Sequence, residues 1–296
     1  TEHLERALEL LGDIVFHSTF PQHEIEKETE VIIDEIQSYE DNPSELIFDD
    51  FEDMIFRNHP LGRNILGKPE LLRSFRTEDV LSFTRRFYQP GNMVLCVAGD
   101  VDPETVVRIA REGTPAQPGV LPQRDYGAPE ALSCPRSRME RTMEVAMPTF
   151  AIGFKCPPPE SEPLRREIVG EIAAEILAGE SSALYQRLYE QGLIDAGFSV
   201  GYESVKDACL LSATGDSRDP EAVLQALLDE AARIVKEGFD RAQFDRLVRS
   251  AVGPETLTAL KVSAILWVAR IILTAWTTCA SQRCTLPLYR RMCRVS

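Results

Sequence analysis

The chain is poor in histidine and in basic residues, and its cysteines form no Cys-x-x-Cys pair. Seven cysteines, an odd number without that spacing, indicate neither a closed disulfide framework nor a cysteine zinc site. They read as reduced, structural thiols, and a cytoplasmic location is the expectation. Lys and Arg number 32 against 47 Asp and Glu, a formal net charge of −15. That balance argues against a nucleic-acid surface and leaves no basic patch for anionic lipid. No secretory signal opens the chain. It begins at Thr1 rather than Met, with a helical pattern from the outset in TEHLERALELLGDIVF, so Thr1 is not expected to be the true start.

Acidic residues are absent from 256–296, which hold six basic residues, both tryptophans and three of the cysteines. The run VSAILWVARIILTAWTTCA in this tail approaches the roughly 20 apolar residues of a membrane span. Arg270, near its middle, opposes insertion by about 2.5 kcal/mol or more. Residues 254–296 are therefore expected to be an anomalous end, such as a shifted reading frame. A buried apolar helix is the alternative, and no membrane contact is expected.

What is present suits two globular domains: 296 residues, 44% hydrophobic and 27% charged. Helices are expected over roughly 3–17, with Leu4, Leu8 and Leu11 at helical spacing, and over 22–41. A third begins at NPSE, where Asn42 can cap, Pro43 suits the first position and Glu45 can reach back. Ile47, Phe51, Met54 and Ile55 form its apolar face. Another opens at Thr77, with Glu78 and Asp79 at its start and Arg85 and Arg86 in its last turn, as the helix dipole favours. MVLCVAGD reads as a buried strand, followed by a helix capped by Asp102. Residues 114–137, rich in Pro and Gly, read as a linker. Beyond it, MEVAMPTFAIGFKCP, GFSVGYE and ACLLSATGD read as strands, and 162–177 and SALYQRLYEQG as helices. SATGDSRDPEAVLQALLDE echoes VAGDVDPETVVRIARE, which favours duplication of an α+β unit.

The helix EIEKETEVIIDEIQSYE poses a chemical question. Glu28, Ile32 and Glu35 share one face, while Ile33 and Ile36 turn towards a neighbouring layer. A zinc ion, a basic side chain or plain water would each satisfy the two carboxylates.

EKETEVIIDEI, NHPLGRNILG, FYQPGNMVLCVAGDVDPE and GESSALYQRLYEQGLIDAGFS, in this order, resemble the insulinase and mitochondrial processing peptidase family of inverted zinc peptidases. The resemblance covers about residues 5 to 252 and is strongest to the bacterial type. It implies an α+β fold of two similar sandwich domains, each an antiparallel sheet with helices packed on one face, the first of them truncated. The expected division is 1–113, a linker 114–137, and 138–253. The resemblance also implies that Glu35 is a zinc ligand and that Glu28 supports it by orienting the site.

In this family an upstream H-x-x-E-H supplies two zinc-binding histidines and the glutamate that activates water. None of His3, His17, His23 and His59 belongs to such a motif. The histidine pair is expected roughly 75 residues before the distal glutamate, about 40 residues upstream of Thr1. No catalytic residue is therefore assigned in this chain, which holds one zinc ligand of three and is expected to be inactive alone. His23 reads as a surface histidine and His59 as a helix-ending one. Arg187 and Tyr189 read as packing and surface residues, and Tyr289 with Arg290 receives no role. The expected function is zinc-dependent endopeptidase action on peptides or small unfolded proteins. The alternatives are a non-catalytic partner subunit that completes a substrate chamber, and an acidic scaffold unrelated to proteolysis. A homodimer or a related partner subunit is the expected assembly.

Overall fold

The computed structural model describes residues 2–115, 117–159 and 161–252. The tail 254–296, with the apolar run and Tyr289–Arg290, lies outside the described residues. Among those described, no helix is long and apolar enough to cross a membrane. The chain forms two compact units, one of Thr1–Ser38 with Ile65–Asp125, the other of Tyr39–Asn64 with the residues from Tyr126 onward.

Among its described residues the first unit is helical: α1 (Leu4–Phe16), α2 (Gln22–Glu40, whose last two residues belong to the second unit), α4 (Pro69–Leu72), α5 (Thr77–Phe87) and α6 (Pro103–Gly113). α1 packs on α6, and Arg108 of α6 reaches Glu5 of α1 at 3.0 Å. Helix starts follow the sequence signals. Asp102 accepts from the Thr105 N–H at 2.9 Å and from its hydroxyl at 2.6 Å, and Asp79 accepts from the Arg76 N–H at 2.8 Å. The start of α2 is tied to that of α5: Gln22 accepts from the Thr77 N–H, and the Thr77 hydroxyl donates to the Phe20 carbonyl.

The expected strand MVLCVAGD does not form. Residues 93–98 are neither helix nor strand, and Val94 is 88% and Leu95 51% exposed. A strand exists only by pairing, and apart from the local bond from the Met93 N–H to the Pro90 carbonyl no backbone hydrogen bond reaches these residues among those described. The echo between the two halves holds for the helix starts and stops at this strand. Gly99 and Gly215 both have positive φ (145° and 158°), and Asp102 and Asp219 both cap through a residue three further on, but only the later strand is paired.

The second unit is built around the antiparallel sheet of β1 (Thr149–Cys156), β2 (Ser199–Val205) and β3 (Ala208–Asp216), in the order β1-β3-β2. Strand alternation divides its side chains between two faces. Phe150, Phe154, Cys156, Tyr202, Cys209, Leu211 and Ala213 face α7 (Pro163–Ala178), α8 (Ala183–Glu190), α9 (Pro220–Glu237) and α10 (Arg241–Val252). Eight residues of α7 are buried, among them Val169, Ile172, Ala173 and Ile176; it lies between the sheet and other helices and has no one polar face. Gly170 permits its approach, since a Cβ there would lie 2.1 Å from the Tyr202 ring.

The other face carries α3 (Pro43–Ile55), whose Phe51 and Ile55 cluster with Phe56, Ala208 and Leu210. Gly153 of β1 makes room, because a Cβ there would meet Phe51 at 2.5 Å and Ile55 at 2.6 Å. This packing joins residues 39–64 to the later part of the chain. Asn42 caps α3 by accepting from the Ser44 N–H, whereas Glu45 makes no return bond to Asn42.

Candidate functional site

α2 carries both carboxylates singled out in the sequence. Seven residues are close to two helical turns, so Glu28 and Glu35 lie on one side, about 10 Å apart along the axis. Both are exposed. Thr29 and Ile33 are the buried residues of α2, and Ile25, Ile32 and Ile36 are half-buried, so the packing face lies beside the glutamates. Some of the other acids of α2 have partners, Glu24 with Lys27 at 2.9 Å and Glu30 with Arg73 at 3.4 Å, while Asp34 has none among the described residues. Glu28 and Glu35 have neither a hydrogen bond nor an ion pair among the described residues.

No histidine joins them. His23 stands on the first turn of α2, exposed and 3.0 Å from Glu24; His17 bonds Asp13; His3 precedes α1. Among the described residues, no group of three or more His, Cys, Asp or Glu is arranged to hold a metal ion. One exposed carboxylate with a second two turns away cannot retain zinc, which takes three or four protein ligands. The residues of this chain do not by themselves fit a zinc site.

His59 is more than a helix-ending residue. It stands beyond the end of α3, buried at 5% exposure, at the start of the 3-10 turn Pro60–Gly62. Its Nδ1 accepts from the Leu61 N–H at 3.3 Å, so Nε2 carries the proton and donates to the Lys206 carbonyl at 3.0 Å. The ring stacks on Tyr126 at 5.7 Å.

Beside it lies a network that sequence reasoning missed. Glu130, within the Pro/Gly-rich stretch, accepts from three successive backbone N–H groups, Arg57 (2.9 Å), Asn58 (2.7 Å) and His59 (3.0 Å). It also binds the Lys155 ammonium at 2.8 Å, and Lys155 donates again to the Ala131 carbonyl. Both side chains are buried. Burial alone would raise the Glu130 pKa, but Lys155 and the three N–H groups outweigh it and hold the carboxyl at about 2. One signal was available, a lone lysine in the apolar strand TFAIGFKC, which demands a buried partner. The identity of that partner was not legible, because the loop 57–59 lies more than 70 residues from Glu130.

Elsewhere in the second unit, a pocket of about 280 Å³ is lined by Ile176, Ser181, Gln186, Glu230, Arg233 and Gln243, among others. Its polar groups are paired, Glu230 with Arg233 at 2.7 Å and Gln243 with Ser181 at 3.4 Å. Arg187 lies 3.8 Å from Glu230, and Tyr189 stacks on Tyr185, the packing and surface roles expected of them.

Two family models account for most of the chain. Insulinase (Peptidase family M16) matches residues 1–69, and Peptidase M16 inactive domain matches residues 74–251. The chain belongs to the M16 peptidase family. It is similar to an uncharacterized zinc protease of Bacillus subtilis, YmfH, at 30% identity over 232 residues, covering 76% of this chain and 54% of the relative. It is also similar to the beta subunit of the mitochondrial-processing peptidase of Bos taurus, at 36% identity over 108 residues, 36% of this chain and 22% of the relative. Among solved structures, an M16-like peptidase from Alicyclobacillus acidocaldarius superimposes with a TM-score of 0.75 at 24% identity, over 93% of this chain and 66% of that one. That likeness supports the α+β M16 fold. The chain spans about half the length of YmfH.

Proposed function

We propose that this chain is part of a zinc-dependent M16 endopeptidase, in which Glu35 is one of the metal's ligands and Glu28 positions it. The observation that carries the reading is the pair of exposed carboxylates seven residues apart on one side of α2, within the residues 1–69 that match the Insulinase (Peptidase family M16) model. Two imidazoles from an H-x-x-E-H segment outside these 296 residues would complete the ligand set, and zinc would supply a nucleophilic water near neutral pH. The substrates are peptides or small unfolded proteins.

The test is to read the gene upstream of the Thr1 codon, express the complete product and measure its zinc content by mass spectrometry. An in-frame H-x-x-E-H and one bound zinc per site are expected. Glu35→Gln should abolish stoichiometric zinc, and Glu28→Gln should weaken it by about 10- to 100-fold, as a lost orienting partner does. Full zinc occupancy in Glu35→Gln would contradict the assignment. The similarity of residues 74–251 to the inactive domain favours a second reading, a subunit that completes the chamber of a catalytic partner. A complete product without H-x-x-E-H and without zinc would establish that reading instead.

A further inference from the structure

Cys156, the last residue of β1, and Cys209, the second of β3, are directly opposed in the antiparallel register. Both are 2% exposed and belong to the same core cluster, and no disulfide joins them. Directly opposed residues of an antiparallel pair have Cα atoms about 4.5–5.5 Å apart, inside the roughly 4.4–6.8 Å that a disulfide spans. The Ser204 hydroxyl lies 3.3 Å from Cys209 Sγ. The Tyr202 hydroxyl stands beside the sulfurs too: burial and the neighbouring Cys209 and Cys156 push its pKa up. Among the described residues it is the buried side-chain polar atom that lacks a well-formed hydrogen bond. A buried donor without an acceptor, next to a pair of thiols, points to a second state in which a sulfur carries that acceptor.

We propose that Cys156 and Cys209 are a peroxide-sensitive modification site, passing from dithiol to cross-strand disulfide through a sulfenic acid on Cys209 that the Tyr202 hydroxyl holds. The Cys209 sulfur attacks hydrogen peroxide: the O–O bond breaks, an S–O bond forms, and the departing hydroxide takes the thiol proton and leaves as water. The Cys156 sulfur then attacks the Cys209 sulfur. The S–O bond breaks, the S–S bond forms, and the second hydroxide takes the Cys156 proton. Two thiols lose two electrons and two protons, and one peroxide becomes two waters. Burial, and after it Cys209, push the Cys156 thiol up to about 12, so its thiolate is scarce and the pair rests reduced. Access comes at the end of the sheet, where local opening costs least. There Pro157–Pro159 follow Cys156, and the turn Lys206–Asp207 lies just before β3. The bond closes a loop that holds α7, α8 and β2. It is independent of zinc and of any proteolytic role.

The experiment treats the full 296-residue chain with hydrogen peroxide at neutral pH, blocks remaining thiols with N-ethylmaleimide and maps the unreduced peptides by mass spectrometry. A Cys156–Cys209 linked peptide is expected to dominate in the folded chain and to fall several-fold in chain oxidised in urea, where the seven cysteines pair without preference. This mapping needs no variant and decides by itself. Cys156→Ser, which lacks the second thiol, should leave Cys209 as a sulfenic acid that dimedone captures, and adding Tyr202→Phe should lower that capture several-fold with an unchanged far-UV spectrum. Oxidation of the exposed Cys96 with no Cys156–Cys209 link overturns the proposal, as do links from either residue to other cysteines in equal yield. Dimedone capture that Tyr202→Phe leaves unchanged overturns the part given to the hydroxyl.

Discussion

The two compact units satisfy their polar and apolar groups to different degrees. In the second, every described strand is bonded, both sheet faces are covered and a buried lysine meets a buried glutamate. In the first, α1 buries none of its residues, the run 94–98 makes no backbone hydrogen bond among the described residues, and Glu28 and Glu35 stand in solvent. The difference teaches where stability and where chemistry reside. Groups satisfied within the chain hold the fold together, and the open carboxylates Glu28 and Glu35 add nothing to it among the described residues.

The largest effect expected is at the buried ion pair. Lys155→Met leaves Glu130 buried without its cation and should cost about 3–5 kcal/mol. Hydrogen exchange should show it as lost protection at Leu210 and Leu211, with α1 and α6 unchanged. Acid probes the same site. The folded Glu130 carboxyl, at about 2, lies below its ordinary value of 4.5, so its contribution is complete above about pH 4.5 and is lost as pH falls towards 2. That difference is worth roughly 3 kcal/mol. Glu52, Glu171 and Glu175 oppose it: burial raises each of them, so protonation relieves the fold and shallows the loss. In Glu130→Gln, urea midpoints should therefore depend less steeply on pH between 4.5 and 2.

Packing comes next. Gly170→Ala forces a methyl group into the Tyr202 ring and should cost about 2 kcal/mol, read as a lowered urea midpoint with unchanged slope. The matched caps sharpen the comparison further. Asp219→Ala and Asp102→Ala should each cost about 1 kcal/mol. The first should appear in the global unfolding of the second unit, and the second only as faster exchange in α6. The smallest effect belongs to the candidate ligands. Glu28→Gln and Glu35→Gln should change stability by no more than about 0.5 kcal/mol, because neither carboxylate holds another described residue.

The local grammar of the sequence proved informative wherever a few neighbouring residues decide the outcome. Asn42-Pro43 and Asp102-Pro103 start helices, ACLLSATGD is β3 to the residue, and the face of Ile33 on α2 is buried. It failed where the deciding partner is remote or lies outside the described residues. MVLCVAGD has the composition of a buried strand without a strand beside it among those residues. Glu130, in a stretch that reads as a plain linker, is fixed by a loop more than 70 residues earlier and by β1. The candidate site shows the same division. Periodicity places Glu28 and Glu35 on one side of α2, but their role rests on family resemblance, since no described residue near them completes a metal site.

The most direct test of the account is a peptide-cleavage assay of the purified 296-residue chain with zinc added, repeated with chelator and with Glu35→Gln. No zinc-dependent cleavage is expected, because Glu35 is the single ligand proposed in this chain and none of its histidines belongs to an H-x-x-E-H that would supply the general base. Cleavage that needs zinc, stops with chelator and disappears in Glu35→Gln would show a complete site within these residues and contradict it.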